Sequence, residues 1–404
     1  MVGDVISVSK QYKKCLFGAL IGVMTGFQGG AAQAEVLKYR VSSRYVQDSN
    51  LFRFADASEA QAAIGSTDMK ESYYTIGAGL EAKVPVSRQS FFVDADVETF
   101  RYDRFSNLDY TAVSGKAGWD WVAGSQWSGQ LLYRRNERLI RFLESTSVVK
   151  DIRVVDDVGV RGAYRLHPDW TLGGGLKRYS RRHDIQTRFS FDEKMGFVEV
   201  LYDTDSRTRV GLRQSVVKGT FEEQELVGTT LVDNDYTQRA SSVLLYWEGS
   251  KKSRFNGWFG LTRRDHDQFP ERDFDGVTWR ANYHWLPTAK LTLNLGLWQQ
   301  TETPEERTSF VETFGFEANS AWRLSAKLSF RLGYQRRDED FKGRVLVSGD
   351  IRQDTLTRWT LGAHYRLREK WIFSLDYMDL TRESNVPASQ FDARRVTLRV
   401  RMVF

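Results

Sequence analysis

The stretch Arg395-Val396-Thr397-Leu398-Arg399-Val400-Arg401-Met402-Val403-Phe404 decides the fold. Val396, Leu398, Val400, Met402 and Phe404 fall on every second position, and Arg395, Thr397, Arg399 and Arg401 fill most of the places between. Side chains along a β-strand alternate with a two-residue period, so this segment has one apolar face and one strongly cationic face. At the end of an exported chain this is the pattern of an outer-membrane β-barrel strand, with lipid on one side and a watery lumen on the other. A strand of a soluble sandwich alternates in the same way, so the choice falls to the rest of the chain.

The amino terminus predicts export. Lys10, Lys13 and Lys14 make a basic start, Cys15 to Phe27 is mostly apolar, and Ala32-Gln33-Ala34 offers small residues to a signal peptidase. A cleaved signal peptide over residues 1–34 follows. The apolar run is too short to span a bilayer as a helix. Cys15 opens that run and is not placed like a lipid-modified cysteine. Without residues 1–34, 58 less 3 leaves 55 Lys+Arg and 52 less 1 leaves 51 Asp+Glu, a net charge of +4 with no cysteine. Disulfides and thiol metal sites are thereby excluded. The sequence pI near 9.2 does not point to nucleic acid, because the basic residues alternate along strands instead of forming one patch.

Mean hydropathy is −0.48, and the chain nevertheless carries 12 Trp, 17 Tyr and 25 Phe. Aromatic girdles around a barrel with a polar interior reconcile the two. Eighteen strands are predicted, at about 36–46, 72–84, 91–103, 110–122, 127–138, 152–165, 170–181, 193–202, 207–218, 236–247, 254–264, 277–286, 291–300, 310–322, 327–337, 355–367, 370–380 and 393–404. The fold class expected is all-β, a transmembrane antiparallel up-and-down barrel of residues 35–404. Short connections such as Pro85-Val86-Ser87-Arg88, Leu166-His167-Pro168-Asp169 and Leu286-Pro287-Thr288-Ala289 read as periplasmic turns. Long polar ones, about 47–71, 138–151, 219–235, 265–276 and 338–354, read as extracellular loops.

The alternation assigns faces. Phe91, Val93, Ala95 and Val97 point outward with Asp94, Asp96 and Glu98 between them; Leu291, Leu293, Leu295 and Leu297 do the same on a later strand, as do Trp371, Phe373, Leu375 and Tyr377. The faces of 193–202 and 236–247 are ambiguous. Inward-pointing cations are expected to make a basic wall of Arg40, Arg44, Arg161, Arg165, Arg207, Arg209, Arg213, Arg358, Arg395, Arg399 and Arg401. Glu81, Asp94, Asp96 and Glu98 make an acidic patch facing it. The two sets either neutralise each other in a wall-stiffening network or leave a path for an anionic or hydroxyl-rich solute.

Catalysis finds little support. His167, His183, His266, His284 and His364 show no metal-ligand spacing, and there is no GxSxG or phosphate-binding glycine loop. Asp265-His266-Asp267 is the one acid–histidine cluster of the kind a rim hydrolase would use, and a solvated loop triplet explains it as well. No cofactor or metal is expected.

Four motifs resemble the EpsL-like family of outer-membrane barrels encoded with exopolysaccharide operons. They are Asp48-Ser49-Asn50-Leu51-Phe52-Arg53, Tyr102-Asp103-Arg104-Phe105-Ser106-Asn107-Leu108-Asp109, Asp233-Asn234-Asp235-Tyr236-Thr237-Gln238-Arg239 and Gln268-Phe269-Pro270-Glu271-Arg272-Asp273-Phe274-Asp275-Gly276. The resemblance implies a porin-like outer-membrane protein tied to polysaccharide export and biofilm, partnered by polysaccharide, outer-membrane lipid and periplasmic export components. It carries over no catalytic residue. The alternatives from the residues alone are a general diffusion porin, an outer-membrane enzyme, or a docking barrel plugged by the 47–71 loop. Val396, Leu398, Val400, Met402 and Phe404 resemble the signal read by the barrel-assembly machinery.

Overall fold

The computed structural model describes residues 36–140, 142, 148–227, 229–268, 270–303, 310–342 and 351–404; the expected signal peptide, and parts of the 138–151 and 338–354 loops, lie outside them. The strands are β1 (Val36–Asp48), β2 (Glu71–Val86), β3 (Gln89–Tyr102), β4 (Tyr110–Ala123), β5 (Trp127–Leu139), β6 (Ile152–His167), β7 (Trp170–His183), β8 (Phe191–Asp203), β9 (Thr208–Phe221) and β10 (Glu225–Val227). They continue as β11 (Thr230–Val232), β12 (Tyr236–Ser250), β13 (Ser253–His266), β14 (Phe274–Trp285), β15 (Leu291–Glu302), β16 (Phe310–Arg323), β17 (Leu328–Lys342), β18 (Gln353–Leu367), β19 (Trp371–Ser384) and β20 (Phe391–Val403). One helix, α1 (Ala57–Ile64), lies in the first long connection.

β10 and β11 form a small hairpin, and the other strands form one 18-stranded sheet. β9 pairs with β12 past the hairpin, and β1 pairs with β20 from Arg40↔Val403 to Asp48↔Arg395. Every pairing is antiparallel and the ring closes on itself, so no strand edge is left open. At the seam the Tyr39 N–H donates to the Phe404 carbonyl (3.2 Å) and the Phe404 N–H to the Tyr39 carbonyl (2.9 Å).

All eighteen expected strands are present, but many run further on the side of the long loops. β17 reaches Lys342, five residues past the expected 337, and β19 reaches Ser384, four past 380. The outward positions there are Arg336, Asp338 and Asp340, then Asp379 and Glu383, so the hydropathy alternation stops while backbone pairing continues above the bilayer. The same extension shortens two connections: strands run to Phe221 and His266 and resume at Tyr236 and Phe274. The two ambiguous strands resolve with Val198, Val200 and Tyr202, then Val243, Leu245 and Trp247, on the outer face.

Aromatic side chains ring the outer surface. Trp127–Tyr164 (4.6 Å between ring centroids) and Trp170–Tyr202 (4.8 Å) lie near the short-turn end, and Tyr334–Trp359 (4.5 Å) near the other. Such rings settle at membrane interfaces because one end is apolar and the other polar. The short turns use left-handed backbone at Ser87, Gly124, Arg207 and Arg368.

Four of the opposite connections share one construction. Strand ends at Tyr102, His183, His266 and Ser384 are each followed by a short 3-10 turn, at Ser106–Leu108, Thr187–Phe189, Pro270–Arg272 and Pro387–Ser389. In three of them the residue just before the next strand accepts the N–H of the last residue of the previous one: Asp109 from Tyr102 (2.8 Å), Ser190 from His183 (3.0 Å) and Asp273 from His266 (2.7 Å). In the fourth, the Gln390 amide donates to the Ser384 carbonyl (2.7 Å). These clips satisfy backbone groups where the ladder ends.

Deleting Phe404 removes the two Tyr39–Phe404 hydrogen bonds at the end of the seam. The expected outcome is a lower yield of folded barrel in the outer membrane, read by heat-modifiable electrophoretic mobility, with β1 still unable to pair elsewhere.

Candidate functional site

Register fixes which side chains enter the lumen. Leu398, with 52% of its surface exposed, and Val396 lie outside, so Arg395, Thr397, Arg399 and Arg401 lie inside. Across the seam, Lys38, Arg40, Ser42 and Arg44 share that inner face, because Arg44 is the Cα partner of Arg399.

The mouth on the long-loop side is closed in by packed side chains. Residues 49–70 fold inward, so Leu51, Phe52, Phe54 and Ala60 cluster with Tyr102, Leu108, Leu139 and Phe142. Phe52 meets Phe105 and Phe142 edge-on at 4.9 and 4.6 Å. α1 starts on Asp56, whose carboxylate accepts the Ser58 and Glu59 N–H groups at 2.8 and 2.9 Å, and stops at Gly65 in left-handed backbone. The fold of this loop depends on Asp48. Its carboxylate is fully buried and accepts from Arg53 at 2.8 and 2.9 Å, from Arg395 at 2.9 Å and from the Asn50 N–H at 3.0 Å. Leu356, Leu380, Phe391 and Ala393 make a second apolar cluster on the inner face of β18–β20. From the other side, Arg181 on β7 donates to the Thr303 carbonyl at 3.4 Å, which brings Thr303 over the lumen.

Below the mouth the expected basic wall divides. Arg40 enters the acidic patch, bonded to Asp94, to Asp96 (2.8 Å) and to Glu81 (3.4 Å). Arg44 bonds Glu98 and donates to Thr75 (3.1 Å). Arg161 (2.7 Å) and Arg213 (2.9 Å) converge on Glu199, whose carboxylate is fully buried between them. Arg209 pairs with Asp203 at 2.6 Å and Arg395 with Asp48. These cations stiffen the wall and hold little charge for a solute. Arg165 lies on the inner face near the short-turn end, and Arg358 on the inner face of β18 opposite Leu380. Arg207 is not on the wall: it occupies the turn between β8 and β9 with φ 60°, and the alternation begins only after it.

Arg399 and Arg401 behave differently. Among the described residues no carboxylate lies within ion-pair distance of either. The sequence reading missed two companions, Arg331 and Arg366, which are likewise unpaired among the described residues and lie on the inner faces of β17 and β18. Their signal was present: Phe330-Arg331-Leu332 and Tyr365-Arg366-Leu367 place each arginine between two outward apolar residues. Through the register, Arg366 faces Ile372, which faces Arg401, while His364 faces Ser374, which faces Arg399. Asp376 is the nearby acid, 3.5 Å from His364. The result is an arc of cations on β17, β18 and β20 beside a neutralised arc on β1–β3.

The acid–histidine triplet does not assemble. His266 is buried on the inner face beside Tyr236, at 5.7 Å between rings, while Asp265 points outward to Arg239 and Arg263. Outside the membrane-spanning strands, Asp151 is buried against His183 at 2.8 Å. Burial pushes its carboxyl up, but the hydrogen bonds from His183 and the Ile185 N–H outweigh that and hold it below the usual range.

Residues 258–404 match the family described as "Putative beta-barrel porin 2". Among solved structures, a BenF-like porin from Pseudomonas fluorescens Pf-5 is similar over 92% of this chain and 100% of its own, at 11% identity and TM-score 0.50. Pseudomonas aeruginosa OccK2 (OpdF) is similar over 92% and 99%, at 12% identity and TM-score 0.49. The likeness is one of fold: the chain is a closed, 18-stranded antiparallel β-barrel, and its carboxy-terminal part resembles the porin family. No protein of curated function matches the sequence.

Asp48→Ala leaves Arg53 and Arg395 buried without their carboxylate. Breaking such a pair costs roughly 3–5 kcal/mol, so the 49–70 loop is expected to detach and become cleavable by trypsin at Arg53 or Lys70 in the folded barrel. Asp151 has a depressed folded pKa, so its contribution is present above the unfolded carboxylate value and lost as pH falls through the folded one. Acid titration below about pH 4 should loosen the β7–β8 clip first, read by amide exchange at His183 and Ile185.

Proposed function

We propose that the barrel is a diffusion channel favouring small anionic solutes. The supporting observation is the unpaired inward set Arg331, Arg366, Arg399 and Arg401, clustered on neighbouring strands, while Arg40, Arg44, Arg161, Arg209, Arg213 and Arg395 are held by carboxylates and Arg165 stands apart near the short-turn end. Cationic rings in a narrow low-dielectric passage concentrate anions, and several weak sites let them leave again. Arg399 lies directly opposite Arg44, whose charge Glu98 takes up, so the charge of Arg399 is left to the passage.

A second reading is passage of an exported polysaccharide, with periplasmic export components as partners, as the resemblance to the EpsL-like barrels implies. What favours it is where the four motifs lie: all are at the long-loop end of the barrel, and Asp48–Arg53 anchors the loop that narrows the mouth. Gene deletion separates the readings, since periplasmic build-up of the polysaccharide supports export and unchanged secretion supports the small-solute channel. In either reading the outward face of β20, Val396 to Phe404, serves as the recognition signal for the assembly machinery.

Reversal potentials in planar bilayers under a salt gradient test the main reading. The wild type is expected to be anion-selective, and Arg399→Glu/Arg401→Glu to lose or reverse that preference while keeping folded mobility. Cation selectivity in the wild type, or an unchanged double variant, contradicts it.

A further inference from the structure

The outer surface carries a second basic region, independent of the lumen. β7, β8, β9, β12 and β13 are consecutive in the ring, and their outward positions are mostly apolar through the band: Leu176, Val198, Leu212, Val216, Val243 and Leu261 are all exposed, interrupted by Gln214 and Ser241, which bond each other at 2.6 Å. One residue pair above that band, on the long-loop side, the outward positions become Arg178, Lys194, Lys218, Arg239 and Arg263, all exposed. The register sets them against one another. Arg178 is the Cα partner of Lys194, Lys194 of Lys218, and Arg239 of Arg263.

Like charges directly opposite on neighbouring strands are destabilising. The carboxylates at hand relieve this only in part. Asp192 is divided between Arg178 (3.3 Å) and Arg182 (2.5 Å), and Asp265 between Arg239 (3.1 Å) and Arg263 (2.8 Å). Lys194 and Lys218 have no ion pair or hydrogen bond among the described residues. Elsewhere at the same height the outward cations are matched: Arg135 by Asp156 and Glu137 (2.9 and 2.8 Å), Arg336 by Asp338 (3.1 Å), Lys342 by Asp340 (3.5 Å) and Arg394 by Asp379 (3.4 Å). One flank thus carries a cationic stripe only partly compensated by Asp192, Asp265 and Glu222, just beyond the apolar band on the long-loop side.

We propose that this stripe is a binding site for a phosphate-bearing lipid of the outer leaflet, with Lys194 and Lys218 as its centre and Arg178 and Arg239 at its sides. The acyl chains lie on the apolar band below while the phosphates bridge the opposed cations. Neighbouring strands are about 4.8 Å apart, so Arg178, Lys194 and Lys218 span about 10 Å, room for more than one phosphate of a single headgroup. The site stands whether or not the lumen selects anions.

Native mass spectrometry of the full barrel tests it, with bis-phosphorylated lipid A and its dephosphorylated counterpart as probes. The wild type should retain the phosphorylated lipid, release it as salt is raised, and retain little of the dephosphorylated one. Lys194→Gln/Lys218→Gln should retain roughly tenfold less, while Arg336→Gln/Lys342→Gln on the far flank retains as much as wild type. Equal retention by the Lys194/Lys218 variant, or equal retention of the two lipids by wild type, overturns the proposal. Loss of a dimer in place of lipid overturns it too, and assigns the stripe to a second copy of the chain. If the double variant does not fold, Lys218→Gln alone and the salt dependence of the wild type decide between the same outcomes.

Discussion

A polypeptide in hydrocarbon has no water to satisfy its N–H and C=O groups, so every one of them must be paired within the protein. That constraint closes β1 onto β20 and makes the ring continuous. It also makes the two faces of each strand experience different solvents. A guanidinium on the lipid side at mid-depth costs about 2–4 kcal/mol, whereas the same group on the inside meets water and other charges. The alternation in Arg395 to Phe404 is the chemical record of that difference, and the arrangement of cations in the lumen and on the rim follows from it.

The arginines inside the barrel serve two purposes that the sequence does not distinguish. Arg40, Arg44, Arg161 and Arg213 are drawn into carboxylates across the wall, and the buried Glu199 holds two of them at once. A buried carboxylate is tolerable only when paired in this way, so these arginines are committed to structure. Arg331, Arg366, Arg399 and Arg401 have no such partner among the described residues, and their charge is available to what passes through. The same separation recurs outside, where matched pairs occupy most of the rim and one flank is left cationic.

Much of the fold is legible in the sequence because the period is two and the penalty for a wrong face is large. β3, β15 and β19 read directly from Phe91 to Val97, Leu291 to Leu297 and Trp371 to Tyr377. What is not legible falls where that penalty vanishes. Above the bilayer the outer face turns charged, so β17 and β19 outlast their hydropathy signal. Arg207 shares the parity of Arg209 and Arg213 but precedes the first paired residue, and alternation alone does not show where pairing begins. Arg395 has the parity of Arg399, yet Asp48 and the inward fold of residues 49–70 remove it from the passage, a long-range event no local pattern records. Arg331 and Arg366, each between two outward apolar residues, are legible in the same alternation.

In a closed barrel, neighbouring residues of one strand meet lipid and water in turn. The only cysteine, Cys15, lies in the expected signal peptide, so single Leu398→Cys and Arg399→Cys proteins can each be labelled with a fluorophore in membranes. Quenching by a nitroxide buried among the acyl chains should be strong at 398 and absent at 399, with the reverse for a water-soluble quencher small enough to enter the lumen. Lipid quenching at 399, or equal quenching at both positions, would contradict a closed barrel with these faces.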